Sequence, residues 1–304
     1  MGATQDQPQT LGAQMEAELR SQPQMWRRAA DLAAGAPLPR SGEKVAIIGC
    51  GTSWFMAQAY AALREQSGAG LTDAWQATEA PLHRDYDVVI GLSRSGTTTE
   101  VIEALQPLAG RTRTLSIVAD PDTPLAERTD DVITLDFADE TSVVQTRFAT
   151  TALTLLRASL ADPIEPAIED CTRALQADMP AEALSAEQIT FLGTGWTIGL
   201  AHEAALKNRE ASQAWTESYP AMDYRHGPIA IAGPNRMTWN FGPVPAGLAA
   251  QVERTGAAFR AAEDLDPLAD LVLAQRVALE RARALGLDAD SPRGLTRSVI
   301  LDDD

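Results

Sequence analysis

Cysteine and histidine are scarce in this chain, with two cysteines (Cys50 and Cys171) and three histidines in 304 residues. Two isolated cysteines form no disulfide framework and no ligand cluster. Three scattered histidines offer no zinc-binding spacing, so neither a metal nor a cofactor is expected. Long apolar runs are also missing: none reaches the ~20 residues a membrane span needs. The first residues lack a basic segment followed by an apolar core, so no secretory leader is expected. Positive charge is in short supply, 25 Lys and Arg against 42 Asp and Glu, for a net charge of −17. That field opposes a nucleic-acid backbone or an anionic membrane as partner. It leaves room for a small anion held locally, and the chain is expected to be cytoplasmic.

The composition that remains is ordinary for a folded protein: 45% hydrophobic and 22% charged residues. The length permits one large domain or two of about 150 residues. Apolar runs alternate with helical patterns. A helix is expected over 14–33, interrupted at Pro23. Strand 45–48 leads through Gly49-Cys50-Gly51-Thr52-Ser53 into a helix over 54–65. Strand 88–92 leads through a Ser/Thr-rich loop into a helix over 100–108. Strands 114–118 and 132–135 follow, then a long helix over 141–161. After Pro163, Pro166 and a helix over 168–177, the pattern restarts at strand 189–192. It runs through Gly193-Thr194-Gly195 into a helix reaching about 215. An irregular stretch over 219–228, a strand over 237–240, a helix over 267–285 and a polar tail complete the chain. Such alternation implies an α/β protein, with parallel sheets covered by helices on both faces. The halves also correspond: Gly193, Gly195 and Thr197 fall on Gly49, Gly51 and Ser53, and Ala201 and Ala205 on Ala57 and Ala61.

Three strand-to-helix loops lie where ligands bind in open parallel sheets. Ser93-Arg94-Ser95-Gly96-Thr97-Thr98-Thr99-Glu100 carries five hydroxyls and a glycine. Free amides and the positive dipole end at a helix start suit a phosphate, and hydroxyls add donors. A single N-cap needs only one hydroxyl, so five favour a ligand. The Gly49 loop has Trp54 where a dinucleotide fingerprint needs its third glycine, which makes NAD the weaker reading. Cys50 fits a small packed residue better than a nucleophile. Glu203, Lys207 and Glu210 share one helical face. From spacing alone, a solvated Glu–Lys face accounts for them more simply. His226, before Gly227-Pro228 in the irregular stretch, can titrate near neutral pH, whereas His83 and His202 have no such setting.

Six motifs together resemble the SIS (sugar isomerase) domain family. They are the Gly49–Ser53 and Ser93–Thr98 loops, Glu140-Thr141-Ser142-Val143-Val144-Gln145-Thr146-Arg147-Phe148, the helix segment 203–210, Tyr224-Arg225-His226-Gly227-Pro228-Ile229-Ala230, and the tail 290–299. In this order they look like the isomerase half of the glutamine:fructose-6-phosphate aminotransferases. The resemblance implies two SIS subdomains, each a parallel five-stranded sheet in an αβα sandwich, and a homodimer. It divides the chain into an N-terminal helical segment (1–34), a first SIS domain (35–165), a second (166–287) and a tail returning to the active site (288–304). It implies that Ser93, Ser95 and Thr98, with Arg94 and Gly96 of the same loop, hold a sugar phosphate. Cys50, Gly51, Thr52, Ser53 and Val143 would lie along the sugar. Glu210 matches the base that moves a proton between C1 and C2. His226 matches the ring-opening histidine, contributed across the dimer interface. Glu203 and Lys207 match supporting charged groups.

Two departures bear on the reaction. The family's Schiff-base lysine is matched by Arg297, also counted with the substrate-binding residues, and a guanidinium stays protonated and forms no imine. Arg94 replaces a neutral glutamine, which favours a more anionic or differently substituted ligand. No glutaminase domain or N-terminal cysteine precedes these motifs, so glutamine-dependent amination by this chain alone is not expected. The expected function is a sugar-phosphate isomerase working through an enediol, in which one carboxylate makes both proton transfers. The alternatives are a deaminase or deglycase of an amino- or N-linked sugar phosphate, and a non-catalytic sugar-phosphate-binding regulator.

Overall fold

In the computed structural model, which describes residues 10–301, the first helix α1 (Ala13–Ala33) is continuous through Pro23. Its buried face, including Leu19, Met25 and Trp26, packs it onto the core, and this tertiary contact outweighs the lost backbone hydrogen bond at the proline. The chain then alternates through β1 (Val45–Gly49), α2 (Thr52–Gln66), β2 (Thr72–Gln76), β3 (Val88–Leu92), α3 (Thr99–Leu105), β4 (Arg113–Val118), β5 (Asp131–Thr134) and α4 (Arg147–Ala158). These strands form a five-stranded sheet of order β2-β1-β3-β4-β5, parallel throughout. Every residue of β1 and β3 is buried, as expected of strands covered on both faces.

Helices α5 (Glu165–Gln176) and α6 (Ala181–Ser185) lead to β6 (Gln188–Gly193), α7 (Thr197–Ser212), β7 (Trp215–Pro220), β8 (Arg236–Phe241), α8 (Leu248–Glu253), β9 (Ala258–Ala261) and α9 (Pro267–Ala284). The second sheet, order β7-β6-β8-β9, is also parallel but has four strands among the described residues, not the expected five. The chain passes from β9 to α9 within six residues, where the first half inserts β5.

Three further boundaries depart from the sequence reading. The helix expected over 141–161 starts only at Arg147. The buried Glu140 carboxylate accepts the amides of Thr146 (2.6 Å), Arg147 (2.8 Å) and Phe148 (3.2 Å), capping α4 there. The helix expected to reach 215 ends at Ser212, with Gln213 left-handed, and Trp215 opens β7. Tyr219 and Pro220 therefore belong to a strand, and the stretch after them folds as short 3₁₀ turns.

One hydrophobic core joins the two sheets, running from Ile47 and Leu115 through Ala201 and Ala205 to Phe191 and Trp239. Helices α2 and α7 meet in its middle. At Gly199 a Cβ would lie 2.3 Å from the Phe55 carbonyl, so only glycine permits this approach. The internal repeat is visible in the turns. A Cβ at Gly49 would meet Ser53 at 2.7 Å and one at Gly193 would meet Thr197 at 2.3 Å, while Gly51 and Gly195 both take positive φ (53° and 60°).

Candidate active site

A cavity of about 210 Å³ opens at the carboxyl ends of β1 and β3. This is the position where strand order reverses direction from the chain's start and where parallel sheets place ligands. Its walls come from five segments: Cys50–Ser53, the loop after β3, Val143 with Gln145, Lys207 and Glu210 of α7, and tail residues 295–299.

The loop after β3 is built around Gly96. Its φ is +64° and a Cβ there would lie 2.2 Å from the Thr123 hydroxyl, so the turn requires glycine. That turn gathers three hydroxyls: Ser93 Oγ is 3.4 Å from Ser95 Oγ and 3.2 Å from Thr98 Oγ1, and Ser95 Oγ is 3.5 Å from Thr98 Oγ1. Side-chain oxygens of Ser93 and Ser95 also accept the amides of Gly96 and Thr97, each at 3.2 Å. Convergent hydroxyls with no acidic neighbour among them form a cradle for an anion. Because α3 has seven residues, the hydroxyls contribute more here than a helix dipole does.

Opposite the cradle lies the charged face of α7. Lys207 is 1% exposed, hydrogen-bonds Glu210 and stands 3.6 Å from Glu203. Burial alone would lower its pKa, but the two carboxylates outweigh that and hold the ammonium above its ordinary value. Glu203 is fully buried behind the cavity wall and accepts from the Thr52 hydroxyl at 3.3 Å. Its second carboxylate oxygen has no hydrogen-bond partner among the described residues, and burial pushes its pKa up to about 7 despite Lys207. The spacing that by itself favours a solvated face is thus a charged cluster with Glu203 and Lys207 buried, and Lys207 and the half-buried Glu210 reach the cavity.

Arg94 and Arg297 both line the cavity. The Arg94 guanidinium is buried and donates to the carbonyls of Ser142 (3.0 Å), Val143 (3.3 Å) and Arg297 (3.2 Å), with the Glu140 carboxylate at 3.7 Å. It therefore ties the cradle loop to the sugar-side segment and to the tail. Arg297 is ion-paired with Asp139 and donates to the Glu140 carbonyl. From α1, Glu18 accepts the amides of Thr141 (2.6 Å) and Ser142 (3.2 Å). Asp290 holds the α1 start through the amides of Gln14 (2.9 Å) and Met15 (2.8 Å). The tail leaves from that joint and crosses the cavity.

Of the residues singled out in the sequence, the structure brings Cys50, Gly51, Thr52, Ser53, Ser93, Arg94, Ser95, Thr98, Val143, Lys207, Glu210 and Arg297 to this one cavity. Gly96 shapes the loop without lining the cavity, and Glu203 stands behind Lys207. His226 is exposed on a 3₁₀ turn beyond β7 and does not line the cavity of its own chain. Burial, then the charge of Glu100, raises the Cys50 thiol to about 11, which suits a packed residue and not a nucleophile. Sequence reasoning did not single out Gln145 and Ser298 as lining residues, although both lie inside quoted motifs. Among the described residues, no group of three or more His, Cys, Asp or Glu side chains could hold a metal ion. No helix among them is long and apolar enough to cross a membrane.

Comparison with known proteins agrees with this architecture. Residues 40–161 match the SIS domain family. A glutamine–fructose-6-phosphate aminotransferase (isomerizing) of Nostoc sp. is 26% identical over 98% of this chain and 58% of its own length. The chain spans just over half the length of such curated relatives. Among solved structures, a glucosamine-6-phosphate deaminase of Thermotoga maritima superposes with a TM-score of 0.81 at 22% identity, covering 95% of this chain and 100% of the other. A tagatose-6-phosphate ketose/aldose isomerase of Escherichia coli gives 0.76 at 18%, covering 92% and 96%. At those identities the likeness is one of fold. Residues 40–161 thus resemble an SIS domain, and along nearly its whole length the chain is similar to part of the glutamine–fructose-6-phosphate aminotransferases.

Proposed function

We propose that the chain is a sugar-phosphate isomerase that moves a proton between C1 and C2 of a phosphorylated aldose, ketose or amino sugar. One observation carries this reading: the hydroxyl cradle and the Glu210 carboxylate face the same cavity. The phosphate sits among Ser93, Ser95 and Thr98, and the sugar extends past Ser53 and Val143 toward α7. Three cationic side chains and one carboxylate line the cavity, in a chain of net charge −17. Asp139, Glu140 and Glu203 pair with those cations from outside the cavity, so the surface turned to a ligand offers cations and hydroxyls to a dianion which the molecule's overall field would repel.

Binding the phosphate away from the reacting carbons fixes the sugar's far end against Glu210. The Glu210 carboxylate takes the proton next to the carbonyl and returns it one carbon away. Lys207 donates a hydrogen bond to that carboxylate and holds its position. Glu203 and Thr52 hold Lys207 from behind. His226 opens the sugar ring from a second copy of the chain in a homodimer, because it lies exposed and away from its own chain's cavity.

A second reading has a specific basis in Arg297 and Lys207. Neither is a neutral amine, so neither forms an imine with a ketose. A substrate that already carries nitrogen at C1 or C2 needs no such imine. Proton removal by Glu210 would then give an enaminol, whose hydrolysis releases the amine. Incubation with hexose and hexosamine phosphates in deuterated water, with free amine assayed in parallel, tests both readings. Deuterium at C1 or C2 without amine release supports the isomerase, and amine release supports the second reading. Binding with neither outcome, across the panel, leaves a sugar-phosphate-binding regulator and overturns both.

A further inference from the structure

We propose that Ser298, on the tail, is a fourth hydroxyl of the cradle, so that a bound phosphate and the docked tail stabilise one another. This rests on the phosphate reading of the Ser93–Thr98 loop.

Ser298 lines the cavity beside Ser95. Its hydroxyl oxygen accepts from Ser95 Oγ at 3.1 Å and from Thr97 Oγ1 at 2.9 Å. A hydroxyl has two lone pairs and one hydrogen. With both lone pairs engaged, the hydrogen is its one uncommitted group, and it goes to no protein acceptor among the described residues. It sits next to Ser93 and Thr98, each of which can offer an anion one hydrogen, while Ser95 gives its own hydrogen to Ser298. The terminal oxygens of a phosphate accept more bonds than those two hydroxyls supply, and Ser298 adds a donor at the point where the cradle converges. Thr97, which does not line the cavity, orients that donor.

The way the tail is held makes the coupling measurable. Its contacts beyond Ser298 are polar: the Thr99 amide donates to the Val299 carbonyl (3.3 Å), the Leu301 amide to Thr99 Oγ1 (3.0 Å), and Arg94 to the Arg297 carbonyl (3.2 Å). Val299, Ile300 and Leu301 are 53%, 64% and 55% exposed, so apolar burial fixes the tail little. A docking held by a few hydrogen bonds shifts visibly when one more forms to a charged group. Linkage then requires that the tail strengthen phosphate binding by the factor by which phosphate strengthens docking.

The test uses inorganic phosphate on the full chain, with its dissociation constant and the hydrogen exchange of tail amides 298–301 both measured. Ser298→Ala is expected to weaken phosphate about tenfold or more, as loss of a hydrogen bond to a charged group should. Ser298→Thr, which keeps the hydroxyl, should stay within about threefold. Phosphate should slow tail exchange in the wild type and not in Ser298→Ala. Equal phosphate affinity in wild type and Ser298→Ala would overturn the proposal. So would faster tail exchange on adding phosphate, which would make Ser298 a stand-in that the anion displaces. A wild-type chain that binds no phosphate overturns the cradle reading itself, whereas a failure confined to Ser298→Ala leaves it intact.

Discussion

The two halves of the molecule offer the same crevice twice, and only one is equipped. In the first, β1 and β3 end beside the Gly49–Ser53 turn, and α7 brings Lys207 and Glu210 to it. In the second, β6 and β8 end beside the Gly193–Thr197 turn, and the corresponding positions of α2 are Leu63 and Gln66. A Cβ on Gly51 would touch only Leu206, at 3.8 Å, so the first turn is open. One on Gly195 would lie 2.7 Å from the Gln66 amide, so the second is occupied. After β3 comes a loop of hydroxyls, while after β8 comes Gly242-Pro243-Val244-Pro245. The Thr197 hydroxyl is already engaged with the Phe241 carbonyl at 2.8 Å, and the Asn240 amide with the Gly242 carbonyl at 3.0 Å. The repeated architecture supplies a location, and the loop composition decides whether it binds anything.

The largest expected effect comes from giving the first crevice the residue found in the second. Glu210→Gln should lower turnover about 10²- to 10⁴-fold, the usual weight of a general base. Its inorganic phosphate affinity should match that of the wild type, because the cradle is untouched. Steady-state rates and phosphate titration of the same variant check both halves of that statement, and a parallel loss of phosphate binding would break the separation of roles.

A smaller effect concerns pH. Burial, then the charge of Glu140, pushes Glu18 up to about 7 from 4.5. A carboxyl with a higher pKa in the folded chain binds its proton more tightly there, so its stabilising contribution is complete below about pH 4.5 and is lost as pH rises to about 7. Glu203 shifts in the same direction for the same primary reason. Glu18→Gln keeps an acceptor for the Thr141 and Ser142 amides but cannot ionise. The wild type should therefore lose stability relative to Glu18→Gln as pH rises from about 5 to 7.5, by at most a few kcal/mol. Urea midpoints across that range would show it, and a pH-independent difference would contradict it.

The parts most legible in the sequence were the apolar runs. Strands β1, β3, β4 and β6, buried along nearly their whole length, and the edge strand β5 read this way, and the glycine turns and hydroxyl loop announced themselves by composition. The strands missed, β2, β7 and β9, are all sheet edges, half-exposed and mixed in character, so no apolar run marks them. The late start of α4 was hidden because Glu140 caps it from seven residues before Arg147. Glu203, Lys207 and Glu210 could not be told from a surface face until α2 and α7 were seen to bury them. Ser298 lies in the quoted tail motif, but nothing local ties it to the cradle: its partners Ser95 and Thr97 lie 203 and 201 residues away.

The most direct measurement of whether the first crevice alone binds the anion is an amide NMR titration of the full chain with inorganic phosphate. The predicted result is saturable shifts at amides 93–99 and 297–301, with the Gly193–Thr197 turn and Gly242 unmoved. Shifts at Gly195 and Gly242, or none in the 93–99 loop, would contradict it.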